Sequence, residues 1–165
     1  MKKAIAFIFS ICFTANINAA VIAPDSGWHV FNFGDVGSPF STTYDFTLTQ
    51  ASILTVTDAY LSGDRFEIFS GATSLGLTST PTSTGDQINN DFDFAASDDR
   101  WSTGVWALLA GTYTISGITI DSPFQGGGAA LRVDTSEVPV PAAMFLFAPA
   151  LLGFMGLRRK AKNIA

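Results

Sequence analysis

The sequence predicts an all-β domain, an antiparallel β-sandwich, set between two apolar termini. Three observations lead there. Between Trp28 and Val133 apolar and polar residues alternate with a period of two in run after run, the pattern of half-buried strands. Turn-forming clusters separate the runs at Ser62-Gly63-Asp64, Ser70-Gly71, Thr84-Gly85-Asp86, Ala110-Gly111 and Gly126-Gly127-Gly128. No stretch of this segment shows the apolar stripe of an amphipathic helix. Strands this short at this spacing are those of a sandwich.

Taken in order, the chain opens with a charged Met1-Lys2-Lys3, an apolar run from Ala4 to Phe13, and a polar-then-small stretch from Asn16 to Ala20. That is the layout of a secretory signal peptide, with cleavage after Ala19 or Ala20. The apolar run is too short for a stable membrane span. In the middle segment Tyr44, Phe46 and Leu48 share one predicted face, and Leu54 and Val56 alternate with Thr55 and Thr57. Phe66 and Ile68 alternate with Arg65 and Glu67, and Leu75 and Leu77 continue the series. Phe92 and Phe94 oppose Asp91 and Asp93, which predicts a strand there with a solvated acidic face. Tyr113 and Ile115, then Ile118 and Ile120, flank Gly117, where the change of phase predicts a bulge. Leu131 and Val133 close the pattern. The Ser/Thr/Pro-rich stretch from Thr78 to Asn90 is the longest predicted loop.

Beyond the sandwich, Val138-Pro139-Val140-Pro141 leads into Ala142–Leu157, which holds no charged residue. As a helix that segment would span about 24 Å, and counting from Val138 it just reaches across a hydrocarbon core of about 30 Å. Arg158, Arg159, Lys160 and Lys162 come next and form a stop-transfer cluster that stays cytoplasmic. The predicted organisation is therefore a signal peptide over 1–20, an acidic sandwich over 21–134, a linker over 135–141, a transmembrane helix over 142–157 and a basic tail over 158–165.

This tail resembles the PEP-CTERM sorting signal of Gram-negative bacteria: a V-P-E-P-like motif, a membrane helix and an Arg-rich end. Val140 stands where the family motif has Glu. The resemblance implies recognition by an exosortase, a membrane-embedded cysteine protease of transpeptidase type, after passage through the Sec machinery and signal peptidase. It also implies an inner-membrane stage facing the periplasm, then the cell surface or a biofilm and exopolysaccharide matrix. In the middle domain, Leu109-Ala110-Gly111-Thr112-Tyr113-Thr114-Ile115 resembles a Gly-x-Tyr strand of bacterial pre-peptidase C-terminal-type sandwiches. The run from Leu54 to Phe69 is similar to secreted β-sandwich proteins. These likenesses imply a jelly-roll-like sandwich and bring no activity with them.

Composition narrows the chemistry. All 14 acidic residues fall between Asp25 and Glu137, a segment whose only cations are Arg65, Arg100 and Arg132. A surface of that sign excludes nucleic acid as a partner. Cys12, the one cysteine, lies in the signal peptide, so the exported part has no thiol for catalysis, disulfides or metals. His29 is the lone histidine and no G-x-S-x-G elbow occurs, so no catalytic residues are assigned and no enzyme is expected. Asp58, Asp64, Asp91, Asp98 and Asp99 are candidate donors for a structural calcium, which takes hard oxygen ligands; no other cofactor is expected. Arg65 and Arg100 are each expected to pair with a carboxylate. Trp28, Tyr60, Trp101, Trp106 and Tyr113 could stack on sugars, and Trp101, placed after Asp98-Asp99-Arg100, is the expected exposed ring. The expected function is an exported, non-enzymatic surface or matrix protein; the alternative is a small glycan-binding module contacting extracellular polysaccharide.

Overall fold

The computed structural model describes residues 18–136. Residues 1–17 and 137–165 lie outside it, and with them most of the predicted signal peptide, the Pro motif, the predicted membrane helix and the basic cluster. The chain divides into two units, Met1–Thr135 and Ser136–Ala165, and the sandwich belongs to the first. Among the described residues no helix is long and apolar enough to cross a membrane.

Nine strands and one short helix make up the described part: β1 (Asn18–Val21), β2 (His29–Gly34), β3 (Thr42–Leu48), β4 (Ser52–Asp58), β5 (Arg65–Ser70), β6 (Thr73–Leu77), α1 (Phe92–Ser97), β7 (Thr103–Leu108), β8 (Gly111–Asp121) and β9 (Gly126–Thr135). They form two sheets, ordered β1-β3-β8-β5-β6 and β2-β9-β4-β7. Every neighbour pair is antiparallel except β1 with β3. Apart from the β5–β6 hairpin, strands consecutive in sequence lie in different sheets. The chain thus crosses the sandwich repeatedly, as in a jelly roll.

The inner faces are those the alternation predicts. Tyr44, Phe46 and Leu48 from β3, Leu54 and Val56 from β4, Phe66 and Ile68 from β5, and Leu131 and Val133 from β9 are all buried in one core. Phe31 and Phe33 of β2 and Phe40 of the following loop complete it. Phe31 stacks on Phe40 at 4.1 Å between ring centroids, and Phe66 meets Phe33 edge-on at 4.7 Å. Such pairs add about 0.5–1.5 kcal/mol each beyond area burial, which suits a domain without disulfides. At the β7–β8 turn the Tyr113 hydroxyl donates back to the Leu109 carbonyl at 2.9 Å, with its ring lying beside Gly111.

Two predicted elements differ. The strand expected around Phe92 and Phe94 is the helix α1: Asp91 caps it by accepting from the Phe94 N–H at 3.0 Å, and Phe92 and Ala95 turn inward. The bulge expected at Gly117 is absent, because β8 runs through Gly117 in register opposite Ile68. Its register shift lies opposite Arg65/Phe66 instead. Gly117 and Thr119 therefore face the core, while Ile118 and Ile120 face outward. Phe40 occupies the space that a side chain at Gly117 would need.

Candidate functional site

A cluster of buried polar residues, Asp58, Ser62, Asp64 and Ser122, sits where two crossings of the sandwich run side by side. Asp58 is the last residue of β4 and Asp64 directly precedes β5, so the loop between them carries the chain from one sheet to the other. The return crossing, from Asp121 of β8 to Gly126 of β9, passes beside it, since Arg65 pairs with Asp121 and Asp58 with Ala129. Both carboxylates are buried: Asp58 is 0% and Asp64 2% exposed.

Asp58 organises the first crossing. Its Oδ1 accepts from the Ala59 N–H at 2.8 Å and its Oδ2 from the Asp64 N–H at 3.2 Å, with Gly63 N–H as a further donor. Gly63 takes a φ of 128°, a region open to glycine. Burial, and then the charge of Asp64, push the Asp58 carboxyl up to about 8 against the pull of those backbone donors. Burial likewise raises Asp64, opposed by a hydrogen bond with Ser122 and reinforced by Asp121. Asp64 Oδ1 has no hydrogen-bond partner. The neighbouring loop is tied in by the Ser62 hydroxyl, which accepts from the Asp86 N–H at 3.0 Å, and by the Ile88 N–H donating to the Tyr60 carbonyl at 2.7 Å.

The other predicted metal donors are engaged elsewhere. Asp91 caps α1. Asp98 holds Arg100 through two oxygens, at 2.9 and 2.8 Å, and Arg100 keeps its carboxyl down at about 2. Asp99 accepts from the Thr82 hydroxyl at 3.0 Å. The five candidates therefore do not converge, and among the described residues no three acidic or histidine side chains are placed to share a metal. Only Asp58 and Asp64 come together.

The expectation for Trp101 is overturned: it is 2% exposed. Its covers are its own neighbours, the Arg100 guanidinium 4.9 Å from the ring and Phe94 edge-on at 6.1 Å. Its indole N–H is buried without a partner. Tyr60 is the more open aromatic, 37% exposed, with a φ of 63° that is unusual for a non-glycine residue. Its ring lies against Gly128. Trp28 lies under Arg132, 4.5 Å from the guanidinium carbon, and Arg132 pairs with Asp93 and Asp134. Its Nε is 2.8 Å from Asp134 Oδ2 yet misaligned for a hydrogen bond. Arg100 meets the expected carboxylate; Arg65 instead donates from Nε to the Thr78 carbonyl at 3.1 Å.

Sequence reading missed the buried hydroxyls. Thr78 Oγ1 accepts from the Phe66 N–H at 3.0 Å and donates to Ser102 Oγ at 3.1 Å, joining the long loop to both sheets. Serine and threonine in a loop carry no sequence mark of burial. His29 shows an arrangement that resembles a catalytic pair and is not one. Its Nε2 lies 2.8 Å from Ser26 Oγ, but that hydroxyl donates its one hydrogen to the Ala23 carbonyl. It can therefore only accept from the histidine, the reverse of what a general base requires.

No family model matches the chain, and no curated protein matches it. Among solved structures it is similar to the pre-peptidase C-terminal domain of a collagenase from Bacillus anthracis, with 12% identity over 73% of this chain and 99% of that one, TM-score 0.41. It is similar to the C-terminal CBM6 of the laminarinase LamC from Zobellia galactanivorans, with 23% identity over 63% and 79%, TM-score 0.38. It is also similar to a β-1,3-glucan-binding CBM6 from Bacillus halodurans, with 17% identity over 73% and 100%, TM-score 0.38. Likeness at this level carries no functional information.

Proposed function

We propose that the chain is an exported, non-enzymatic component of the cell surface or extracellular matrix of a Gram-negative bacterium, sorted through its C-terminal tail by an exosortase. The observation that carries this reading is the order of parts after the sandwich: Val138–Pro141, the uncharged Ala142–Leu157, then Arg158, Arg159, Lys160 and Lys162. The fold adds support at the junction. Thr135, the last residue of β9, is clipped by the Asp25 carboxylate, which accepts from its N–H at 2.7 Å and its hydroxyl at 2.9 Å. The domain is thus fastened at Thr135, and the Pro motif begins at Val138 in the sequence.

The test is the intact mass and cell fraction of the protein in hosts with and without the exosortase. Loss of the N-terminal 19 or 20 residues in both hosts, and of the chain beyond the Pro motif only where the protease is present, is the expected result. A tail retained in both hosts makes Val140 a disabling change and the protein a single-pass membrane protein.

A second reading, a glycan-binding module, moves from Trp101 to Tyr60, whose exposed ring is held on a fixed backbone above Gly128. Polysaccharide from the producing cells should then retard the unmodified protein in affinity electrophoresis and leave a Tyr60→Ala variant unretarded. Equal mobility of the two removes this reading.

A further inference from the structure

The carboxyl groups of Asp58 and Asp64 are both buried between the β4–β5 and β8–β9 crossings, near enough for the charge of Asp64 to act on Asp58, and among the described residues no basic side chain pairs with either. The segment from Asp25 to Glu137 has no lysine. Arg65 donates to the Thr78 carbonyl, Arg100 pairs with Asp98 and Asp86, and Arg132 pairs with Asp93 and Asp134. Buried charge without a partner is heavily disfavoured, so this pair needs a counter-charge from outside the chain. A proton is one candidate and a metal ion the other. Asp58 already accepts from the backbone N–H groups of Ala59, Gly63 and Asp64, whereas Asp64 Oδ1 is buried with no hydrogen-bond partner. A cation held at Asp64 beside Asp58 would supply both that partner and the counter-charge.

We propose that Asp58 and Asp64 bind a single hard divalent cation, calcium in an extracellular setting, which locks the two crossings of the sandwich together. The chemistry at hand is all oxygen: the two carboxylates, the Ser122 hydroxyl hydrogen-bonded to Asp64, and the charge of Asp121 close by. An all-oxygen set selects calcium or magnesium over zinc or copper. With only two carboxylates, and no third acid converging among the described residues, the rest of the shell is backbone oxygen and water. That low charge count places affinity in the range of extracellular modules, about 10⁻⁴–10⁻³ M. The use of so weak a site rests on the proposed export, because only outside the cell is calcium plentiful enough; binding itself does not rest on it.

The full chain, purified in detergent and stripped with a chelator, should bind one calcium ion in calorimetry and gain thermal stability with it. Asp64→Asn keeps the shape of the side chain and should weaken binding by at least about tenfold. Manganese, as a paramagnetic stand-in for calcium in the unmodified chain, should broaden the amide resonances of Gly63 and Asp64 first, which locates the ion even if the variant fails to fold. Absence of calcium heat, unaltered affinity in a folded Asp64→Asn variant, or broadening centred on Asp98–Asp99 would each overturn the proposal. Cell fractionation is unaffected by any of these results, so failure here and failure of the export reading are told apart.

Discussion

Asp58 and Asp98 are carboxylates shifted in opposite directions for opposite reasons. Asp98, gripped by Arg100, titrates at about 2 in the fold against an ordinary 3.8, so its contribution is present above pH 3.8 and is lost as pH falls through 2. Asp58 keeps its proton in the fold up to about 8 and loses it near 3.8 once unfolded. Between those values the folded state binds the extra proton, and stability declines as pH rises. Without divalent cations, the thermal midpoint should rise from pH 2 to 4 and fall from pH 4 to 8. The ceiling of the falling slope for one proton is about 1.4 kcal/mol per pH unit. Asp58→Asn should flatten the falling limb while leaving the acidic one. A midpoint independent of pH between 4 and 8 in chelator would show that burial does not set this carboxyl. The Asp pair could be named from sequence, but its burial could not. Asp58 looks like a turn residue after a strand, and nothing local announces that a second crossing runs alongside. Trp101 fails for the same reason: three charged neighbours read as solvent, whereas Arg100 folds back over the ring.

Strands such as β3, β4, β5 and β9 were legible from alternation, because a half-buried strand must place every second side chain in the core. α1 was not, because Asp91-Phe92-Asp93-Phe94 is too short to separate period two from a helical turn. The deciding contact is the Asp91 cap on the Phe94 N–H, and the residues that turn inward are Phe92 and Ala95, three apart. β8 shows the complementary error. A glycine between two isoleucine-containing runs suggested a bulge, yet the glycine is required by a neighbour from another part of the chain. A Cβ at Gly117 would lie 2.3 Å from the ring of Phe40, which itself packs between Phe31 and Phe66. Gly117→Ala should therefore destabilise the domain by about 1–3 kcal/mol, read as a lower urea midpoint. Pairing it with Phe40→Leu should recover part of the loss, and no recovery would show that the strain lies in the backbone instead.

At the scale of the whole molecule, the two-sheet sandwich emerged from pattern, while the pairing of distant strands did not. Which strand neighbours which depends on how the chain crosses between sheets, and the alternation is the same for many crossings. The closing element is similarly non-local: Asp25, ahead of β2, fastens Thr135 at the end of β9. A chain ending at Ser136 should therefore be free of the membrane fraction and keep the unfolding midpoint of the full protein in detergent. Ending at Val133, or Asp25→Ala in the shorter chain, should lower the midpoint by about 1–3 kcal/mol equivalent, the usual cost of stranding charge-assisted hydrogen bonds. A Ser136 truncation that stays with membranes would show that the anchor lies elsewhere than in the tail.

The parallel edge strand β1 bears on timing. Asn18, Ala19, Ala20 and Val21 pair in register with Thr42, Thr43, Tyr44 and Asp45, and the bonds predicted for signal peptidase cleavage lie within that strand. A protease that needs an extended, unpaired substrate can act only while β1 is loose. On the proposed export route, processing and closure of the domain would compete. A chain that folds first would shield its own leader, whereas one cut after Ala20 would fold with the β1 edge of β3 covered only by Val21 and by the Ile22 N–H on the Asp45 carbonyl.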